Sequence, residues 1–298
     1  MKRKNTPVSE LKKQARETAV LSLDISFRAH TGHVGSALSI SDLLCVLYTD
    51  QLNVSRATFN HPDRDRFILS KGHAAAALYA VLYQRGILTK RQLDSFGADG
   101  GGLCEHPEIQ DSGVEMTTGS LGHGLAFGTG IAMGINLQRT TDNLQQSRQG
   151  KGNRKSRIPQ VFVLISDGEC SEGALWESAL LAPRLKLDNL TAILDYNKWE
   201  CFGRIGEVTV LEPLAAKWRA FGWEVRETDG HNIRQIRDTY RALPFRKGKP
   251  SLILAHTVSG RGIPLIEDKL IGHYHVFSKD EYTTARKDLA LQGETLRG

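Results

Sequence analysis

The chain has 298 residues, of which 40% are hydrophobic and 24% are charged. This length and balance exclude an intrinsically disordered or collagen-like chain and suffice for a full hydrophobic core. The net charge of +6, from 39 Lys and Arg against 33 Asp and Glu, suits a phosphorylated ligand or nucleic acid but proves neither.

The sequence also bears on the compartment of the protein. The four cysteines lie dozens of residues apart and form neither a Cys-x-x-Cys pair nor a zinc-ligand cluster with histidine. The basic N-terminus is not followed by the apolar core of an export signal. Both features predict a reducing, cytoplasmic setting. Residues 116–138 lack charged side chains but contain six glycines and several polar residues, which favours a helix buried in protein over a membrane span.

The first half of the chain is predicted to be mainly helical. Apolar residues recur every four positions over residues 8–30, which places them on one face of a helix. A second helix is expected to begin after Ser39 or Ser41, behind a glycine-rich loop at residues 31–35.

The pattern then changes to a strand, a helix and a long loop. A short apolar strand at residues 67–69 leads into a helix at 74–84, and residues 97–114 form an ordered loop rich in glycine. The next helix is expected at 121–137. Residues 139–158 are polar and basic, which predicts a flexible surface loop. A nucleic-acid-binding arm is the alternative, but no aromatic residues interleave the charges.

From residue 161 onward, strands and helices alternate. Strands are predicted at 161–165, 191–194, 223–226 and 251–255, and helices at 173–181, 214–221 and 233–243. Right-handed crossovers would make consecutive strands parallel neighbours. The expected fold is one α/β domain over residues 1–298, a largely parallel sheet with helices on both faces.

Two oxygen-bearing side chains follow neighbouring predicted strands. Asp167 and Asn197 come shortly after the strands at 161–165 and 191–194, at the edge where open α/β sheets bind ligands. Carboxylate and amide oxygens suit Mg²⁺, which could clamp a diphosphate there, and Gly168 would allow close approach of the backbone. An N-cap turn is the alternative for Asp167, but the partnered Asn197 favours the metal site.

This spacing resembles the diphosphate-binding signature of thiamine diphosphate enzymes, a Gly-Asp-Gly followed about thirty residues later by Asn. The resemblance extends over most of the chain to the N-terminal half of transketolases. Its segments, in order, are Thr31-Gly32-His33-Val34-Gly35, Leu69-Ser70-Lys71-Gly72-His73, Thr117-Thr118-Gly119-Ser120-Leu121-Gly122-His123-Gly124 and Asp167-Gly168-Glu169-Cys170-Ser171-Glu172-Gly173. The sequence departs from the family pattern at Val34, Ser120, His123 and Ser166.

The resemblance implies a thiamine diphosphate-binding fold that holds the cofactor with Mg²⁺, or with Ca²⁺ or Mn²⁺ in its place. The implied metal ligands are Asp167, Asn197 and the backbone carbonyl of Trp199. The implied cofactor contacts are His73, Gly119, Leu121, His123, Asp167, Gly168, Glu172 and Asn197.

Four histidines are implied to be catalytic. His33, His73 and His106 lie in loops marked by glycine or proline and match histidines of the family. The fourth, which contacts the sugar or its phosphate, is assigned to His273, with His275 as the alternative because the two flank one tyrosine. Imidazole can polarise a ketone, hydrogen-bond a hydroxyl and accept a proton near pH 7.

The implied function is that of one subunit of a transketolase, which is a transferase of aldehyde or ketone residues. Such an enzyme cleaves a ketose beside its carbonyl and transfers a two-carbon ketol unit to an aldose. In the family, the glutamate that activates the cofactor belongs to a pyrimidine-binding domain that this sequence does not match. We therefore expect a C-terminal transketolase subunit to supply this glutamate in an α₂β₂ heterotetramer that acts on sugars or sugar phosphates, with no nucleic-acid or membrane partner.

Three alternatives remain. The chain could belong to a deoxyxylulose-phosphate synthase or to a 2-oxo acid decarboxylating enzyme, although the Ser-Lys-Gly-His and Thr-Thr-Gly-Ser-Leu-Gly segments favour transketolase. It could also be a non-enzymatic, regulatory paralogue.

The glycines at 128–134 imitate a dinucleotide-binding fingerprint, but no strand precedes them, so we interpret them as sites of tight helix packing.

Overall fold

The central sheet is parallel. In residues 5–149 and 157–291, which the computed structural model describes, five strands form this sheet. They are β1 (Arg66–Leu69), β2 (Val161–Ser166), β3 (Leu190–Tyr196), β6 (Glu224–Asp229) and β7 (Ser251–His256). Their spatial order is β1-β2-β3-β7-β6, and the strands β4 (Trp199–Glu200) and β5 (Gly203–Arg204) form a separate antiparallel hairpin. The predicted parallel sheet is confirmed.

Helices cover both faces of the sheet, as predicted. One face is covered by α1 (Val8–Arg28), α2 (Val34–Val46), α3 (Ala75–Gln84) and α9 (Ile233–Arg241). The other is covered by α5 (His123–Arg148), α6 (Gly173–Arg184) and α8 (Leu214–Ala220). The remaining helices are α4 (Lys90–Asp94), α7 (Ile205–Val208) and α10 (Lys279–Leu291). Because side chains alternate along a strand, Phe162 and Leu164 enter the first core and Val161, Val163 and Ile165 the second.

The start of α2 differs from the prediction. The helix begins at Val34 rather than after Ser39 or Ser41, and Gly35 lies inside the helix instead of forming a turn before it. A Cβ atom on Gly35 would lie 2.5 Å from the carbonyl oxygen of Gly272. The turn into the helix is made instead by His33, whose φ is +63°.

The end of α5 also differs. The helix continues to Arg148, so residues 139–148 are helical and the prediction of a surface loop there was wrong. Neither glycine nor proline occurs from 135 to 149, and the hydroxyls of Thr140 and Thr141 donate to carbonyls one turn back. Polarity alone therefore did not interrupt the helix. Residues 150–156 of the predicted loop lie outside the described residues.

The uncharged stretch at 116–138 contributes to α5, which packs on the sheet. Of the helices in residues 5–149 and 157–291, none is both long and apolar enough to cross a membrane. Gly124 and Gly128 lie where α5 meets the sheet, since added Cβ atoms would lie 2.4 Å from the Cβ of Ser70 and 2.3 Å from Cγ2 of Val163. The interpretation of the glycines at 128–134 as packing sites is confirmed for Gly128 but was wrong for Gly130 and Gly134, whose Cβ positions have no packing neighbour within 4 Å among the described residues.

A pair of substitutions in α5 tests this packing. We expect Gly128→Ala to lower the free energy of unfolding by about 1–3 kcal/mol, because the new methyl group would overlap Val163. Gly130→Ala is the matched control, since beyond its chain neighbours and the backbone of its own helix no atom of residues 5–149 and 157–291 lies within 4 Å of its Cβ position. It should raise the stability by up to about 1 kcal/mol through helix propensity. Urea denaturation measures both, and equal effects would contradict the packing argument.

Candidate active site

Asp167 and Asn197 meet at the carboxyl edge of the sheet, as their positions predicted. The register of β2 and β3 places Ser166 opposite Asp195, and the Asp167 N–H donates to the Asp195 carbonyl at 3.2 Å. From the turn after β3, the backbone N–H of Lys198 donates to Oδ2 of Asp167 at 2.6 Å. The two predicted metal-binding segments are therefore in direct contact.

The Asp167 carboxyl group is fully buried. Burial and, to a smaller extent, the nearby Asp195 carboxylate raise the pKa of Asp167 to about 8, against the stabilising N–H groups of Lys198 and Gly168. Among the described residues no lysine or arginine forms an ion pair with Asp167. A buried carboxylate without a direct countercharge is a fitting ligand for a divalent cation.

Asn197 and Trp199 lie on the turn that leads into the β4–β5 hairpin. The Asn197 side chain donates through Nδ2 to Oδ2 of Asp195 at 2.8 Å and accepts through Oδ1 from the Trp199 N–H at 2.9 Å. No cluster of three His, Cys, Asp or Glu side chains suited to a metal occurs in residues 5–149 and 157–291. One carboxylate, one amide and one carbonyl fit a Mg²⁺ ion that takes its other ligands from a diphosphate and water.

The hairpin is attached to the segment that carries His273. The indole Nε1 of Trp199 donates to Asp268 at 2.9 Å, and the guanidinium of Arg204 makes two contacts of 2.8 Å with the same carboxylate. The Arg204 guanidinium also lies over the Trp199 ring, 4.1 Å from its centroid. We call Trp199, Arg204 and Asp268 the hairpin clamp.

A buried ion pair lies beneath the two predicted metal ligands. Lys71 and Asp195 are both fully buried, and the Lys71 ammonium contacts Oδ2 of Asp195 at 2.5 Å. Burial alone would raise the pKa of Asp195, but the Lys71 ammonium together with the hydrogen bonds from Lys71, Thr257 and Ser39 outweighs it, and the pKa is lowered. Asp195 is therefore a carboxylate, and Lys71 balances its charge.

Three of the four predicted catalytic histidines form a cluster. The ring centroids of His33 and His73 are 5.1 Å apart, those of His33 and His273 5.3 Å, and those of His73 and His273 5.6 Å. The His33 N–H donates to the His273 carbonyl at 3.0 Å, and Nε2 of His73 lies 2.9 Å from the Ser36 hydroxyl. We call His33, His73 and His273 the histidine cluster.

The histidine cluster is neutral at pH 7. Burial, followed by the nearby His106 and Lys71, lowers the pKa of His33 to about 4. Burial with the neighbouring His33 likewise lowers the pKa of His273 to about 4, and burial lowers that of His73 well below its usual value. Nδ1 of His33 is buried, and no hydrogen-bond partner for it occurs in the part of the chain that the structure describes. Neutral imidazoles with a free ring nitrogen can accept a proton or hydrogen-bond a polar ligand.

These lowered pKa values predict acid sensitivity. Between pH 6.5 and about 4 the unfolded chain binds protons on His33 and His273 that the folded chain does not, so the free energy of unfolding falls as the pH is lowered. We expect the melting temperature of the cofactor-free chain to drop from pH 7 to pH 5. The drop should be smaller in the variant His33→Asn/His273→Gln, with His61→Gln at an exposed position as control. An equal drop in all three proteins would contradict the assignment.

The loop that is implied to contact the cofactor rings packs beside the histidine cluster. A Cβ atom on Gly119 would lie 3.3 Å from Cδ2 of His106, which brings the fourth predicted histidine to this loop. A Cβ atom on Gly72 would lie 2.7 Å from the Thr118 hydroxyl. The loop is therefore in contact with both His106 and the segment that carries His73.

Glu169 connects this loop to the end of β2. Its buried carboxylate accepts from the backbone N–H of Gly122 at 2.9 Å, from that of Ser166 at 2.8 Å and from the Ser70 hydroxyl. Burial raises its pKa. One side chain thus joins the segments that contain Asp167, His73 and Gly119.

Other predicted residues lie at the margin of the site. His123 is exposed at the start of α5, Leu121 is half-buried, and Glu172 is exposed and packs against Gly122. His275, the alternative to His273, lies against Phe277 with a ring-centroid distance of 4.9 Å. The geometry therefore favours His273 as the member of the site.

Sequence reasoning assigned no role to Lys71, Glu169 or Asp195. All three stand inside or beside the segments that carry the family resemblance, but their burial and their partners depend on contacts between distant segments. A charged residue inside an otherwise small or apolar motif was the signal that could have identified them.

The comparisons with known proteins agree with the geometry. A family model described as transketolase, thiamine diphosphate binding domain, matches residues 11–296. The chain belongs to the transketolase family. The resemblance inferred from the four segments is confirmed, and so is the thiamine diphosphate-binding type of fold.

Two transketolase relatives match over nearly their full lengths. An apulose-4-phosphate transketolase subunit of Phocaeicola vulgatus is 34% identical over 289 residues, which cover 97% of each chain. The 6-deoxy-6-sulfo-D-fructose transketolase subunit SqwG of a Clostridium species is 35% identical over 285 residues, or 95% of this chain and 98% of the relative.

The solved transketolases are longer. The transketolase of Campylobacter jejuni superimposes with a TM-score of 0.84 at 29% identity, over 96% of this chain but 43% of its own. The transketolase of Leishmania mexicana gives a TM-score of 0.84 at 26% identity, over 96% and 45%. The present chain spans less than half the length of these solved transketolases.

Proposed function

We propose that this transketolase-family chain is one subunit of an enzyme that transfers a two-carbon ketol unit from a ketose or its phosphate to an aldose or its phosphate. The observation that carries the proposal is that Lys71 links the histidine cluster to the sheet edge of Asn197. Its ammonium donates to the carbonyl of Ser36, whose hydroxyl contacts His73, and it pairs with Asp195, which accepts from Asn197. Residues suited to binding a metal-bound diphosphate, Asp167 and Asn197, would thus share one site with histidines suited to hydrogen-bonding sugar hydroxyls.

The metal and cofactor roles follow from the donor set. Asp167, the Asn197 amide oxygen and the Trp199 carbonyl would hold Mg²⁺, and the backbone at Gly168 would meet the diphosphate. When bound, thiamine diphosphate supplies a nucleophilic carbon and an electron sink. Its further contacts would be His73, Gly119, Leu121, His123 and Glu172.

The histidines would act on the sugar. His33 and His273 would hydrogen-bond the carbonyl and hydroxyl oxygens of the ketose and take up the hydroxyl proton released when the carbon–carbon bond breaks. His73 is oriented by the Ser36 hydroxyl, and His106 would complete the donor set from the loop at Gly119.

A partner subunit would complete the enzyme. Relatives of nearly the same length are named transketolase subunits, and the solved transketolases are more than twice as long. We infer that a C-terminal, pyrimidine-binding subunit supplies the activating glutamate and that the assembly is α₂β₂.

Reconstitution tests the function. The chain alone should show negligible ketol transfer, and the chain mixed with a pyrimidine-binding subunit from the same organism should convert a ketose plus an aldose in the presence of Mg²⁺ and thiamine diphosphate. Turnover of pyruvate instead of the sugar pair would point to a decarboxylating or deoxyxylulose-phosphate enzyme. Cofactor binding without any turnover would favour a regulatory paralogue, and full activity of the chain alone would refute the need for a partner.

A further inference from the structure

The Asn197 side chain is oriented by the residue two positions before it. We propose that Asp195, held in place by Lys71, is a positioning residue that fixes the Asn197 amide with its oxygen directed away from the buried ion pair and toward the metal site. The inference rests on the proposed role of Asn197 as a metal ligand.

The hydrogen bonds of Asp195 leave one orientation for the amide. Its Oδ2 accepts from Lys71 Nζ at 2.5 Å, from the Ser39 hydroxyl at 2.8 Å and from Asn197 Nδ2 at 2.8 Å, while its Oδ1 accepts from the Thr257 hydroxyl. An ionised carboxylate only accepts hydrogen bonds, so it can face the NH₂ group of Asn197 but not its oxygen. The amide oxygen must therefore point the other way, where the Trp199 N–H donates to it at 2.9 Å.

Lys71 keeps Asp195 in this role and ties it to the histidine cluster. The ammonium group is fully buried and also donates to the Ser36 carbonyl at 3.2 Å, in the first turn of α2 just after His33. Lys71 itself stands two residues before His73. The ion pair therefore anchors the segments of both histidines to the strand that presents Asn197.

A purely structural ion pair would behave differently from a positioning one. Replacing both partners of a buried pair by neutral residues of similar volume often leaves stability unchanged, whereas removing one partner leaves an uncompensated buried charge. If Asp195 served only to balance Lys71, removing both charges would restore the site. If Asp195 orients Asn197, the site would stay impaired, because an asparagine at position 195 can present either its oxygen or its NH₂ group.

Two combined variants of the full chain separate these cases. We expect Asp195→Asn/Lys71→Met to fold but to bind thiamine diphosphate at a fixed Mg²⁺ concentration at least tenfold more weakly than the wild type. The exchange variant Lys71→Met/Asp195→Asn/Asn197→Asp adds an acceptor at position 197 for the NH₂ group of Asn at 195, with no ammonium left to oppose that group, so its affinity should recover to within about threefold. Asn197→Asp alone, with two carboxylates facing each other, measures the effect of the new ligand and should bind weakly.

Calorimetric titration gives the affinities, and circular dichroism melting confirms folding. A second readout needs no cofactor: the side-chain amide signals of Asn197 should be a single protected set in the wild type and exchange-broadened in Asp195→Asn/Lys71→Met. Wild-type affinity in Asp195→Asn/Lys71→Met, or no recovery in the exchange variant, would overturn the inference and leave the proposed function standing. A wild-type chain that binds no thiamine diphosphate with Mg²⁺ would overturn both.

Discussion

Asp167→Ala is expected to abolish metal-dependent binding of thiamine diphosphate while the fold is retained. The substitution removes the only carboxylate among the proposed ligands. It orphans the N–H groups of Lys198 and Gly168, but it also removes a fully buried carboxyl group, whose pKa burial raises to about 8. Because the two effects on stability oppose each other, we expect a small change in the free energy of unfolding and a loss of cofactor affinity of at least a hundredfold, about 2.7 kcal/mol.

The matched control is Asp65→Ala, at the opposite end of the sheet. Asp65 is also buried and accepts from the Asn53 and Gln160 N–H groups and from Arg157. Its loss should lower the melting temperature and leave the cofactor affinity unchanged. Calorimetric titration with Mg²⁺ and thermal melting distinguish the two variants, and unchanged affinity in Asp167→Ala would exclude it as a ligand.

Glu169→Ala is expected to destabilise the chain by roughly 3–5 kcal/mol, because it leaves the Gly122 and Ser166 N–H groups and the Ser70 hydroxyl without their acceptor. For a chain of this size the melting temperature should fall by roughly 5–10 °C. Glu169→Gln keeps one acceptor oxygen but turns an NH₂ group toward a donor, so its loss should be smaller.

Urea denaturation measures the stability of these variants. The control is Glu177→Ala, an exposed position on α6, where a change within about 0.5 kcal/mol is expected. A Glu169→Ala chain as stable as the control would show that the three segments do not depend on this carboxylate. Limited proteolysis near residues 117–122 would then be unaltered as well.

The strands and most helices could be predicted because their signals are local. The core of β2 at 161–165 is a continuous apolar run, and α1 repeats apolar residues at helical spacing. Each pattern therefore indicates the secondary structure of its own segment. The predictions were wrong where a tertiary contact or a lack of helix breakers decided the outcome. Gly35 lies inside α2, where its missing side chain allows close packing against Gly272, and α5 extends past Leu137 because neither glycine nor proline follows up to residue 149.

In the candidate site, too, local sequence signals could be predicted and contacts between distant segments could not. Asp167 and Asn197 could be placed together from sequence, since both follow strands that proved to be neighbours. The ion pair of Lys71 with Asp195 joins positions 124 residues apart, and the hydrogen bond from Gly122 to Glu169 joins positions 47 apart. No local pattern encodes such pairings, because they follow from how the loops fold back over the sheet edge.

The hairpin clamp connects the hairpin after Asn197 to the segment that carries His273, so a structural change in one of them should also affect the other. Trp199 and Arg204 belong to the β4–β5 hairpin that directly follows Asn197, whereas Asp268 precedes His273 by five residues. An ion that settles at the start of that hairpin would therefore also restrain residues 266–274, and backbone amide exchange there should slow on loading, although the segment offers no ligand of its own. Conversely, a substitution in the His273 segment would weaken cation binding. A single substitution there would then impair both sugar conversion and metal binding.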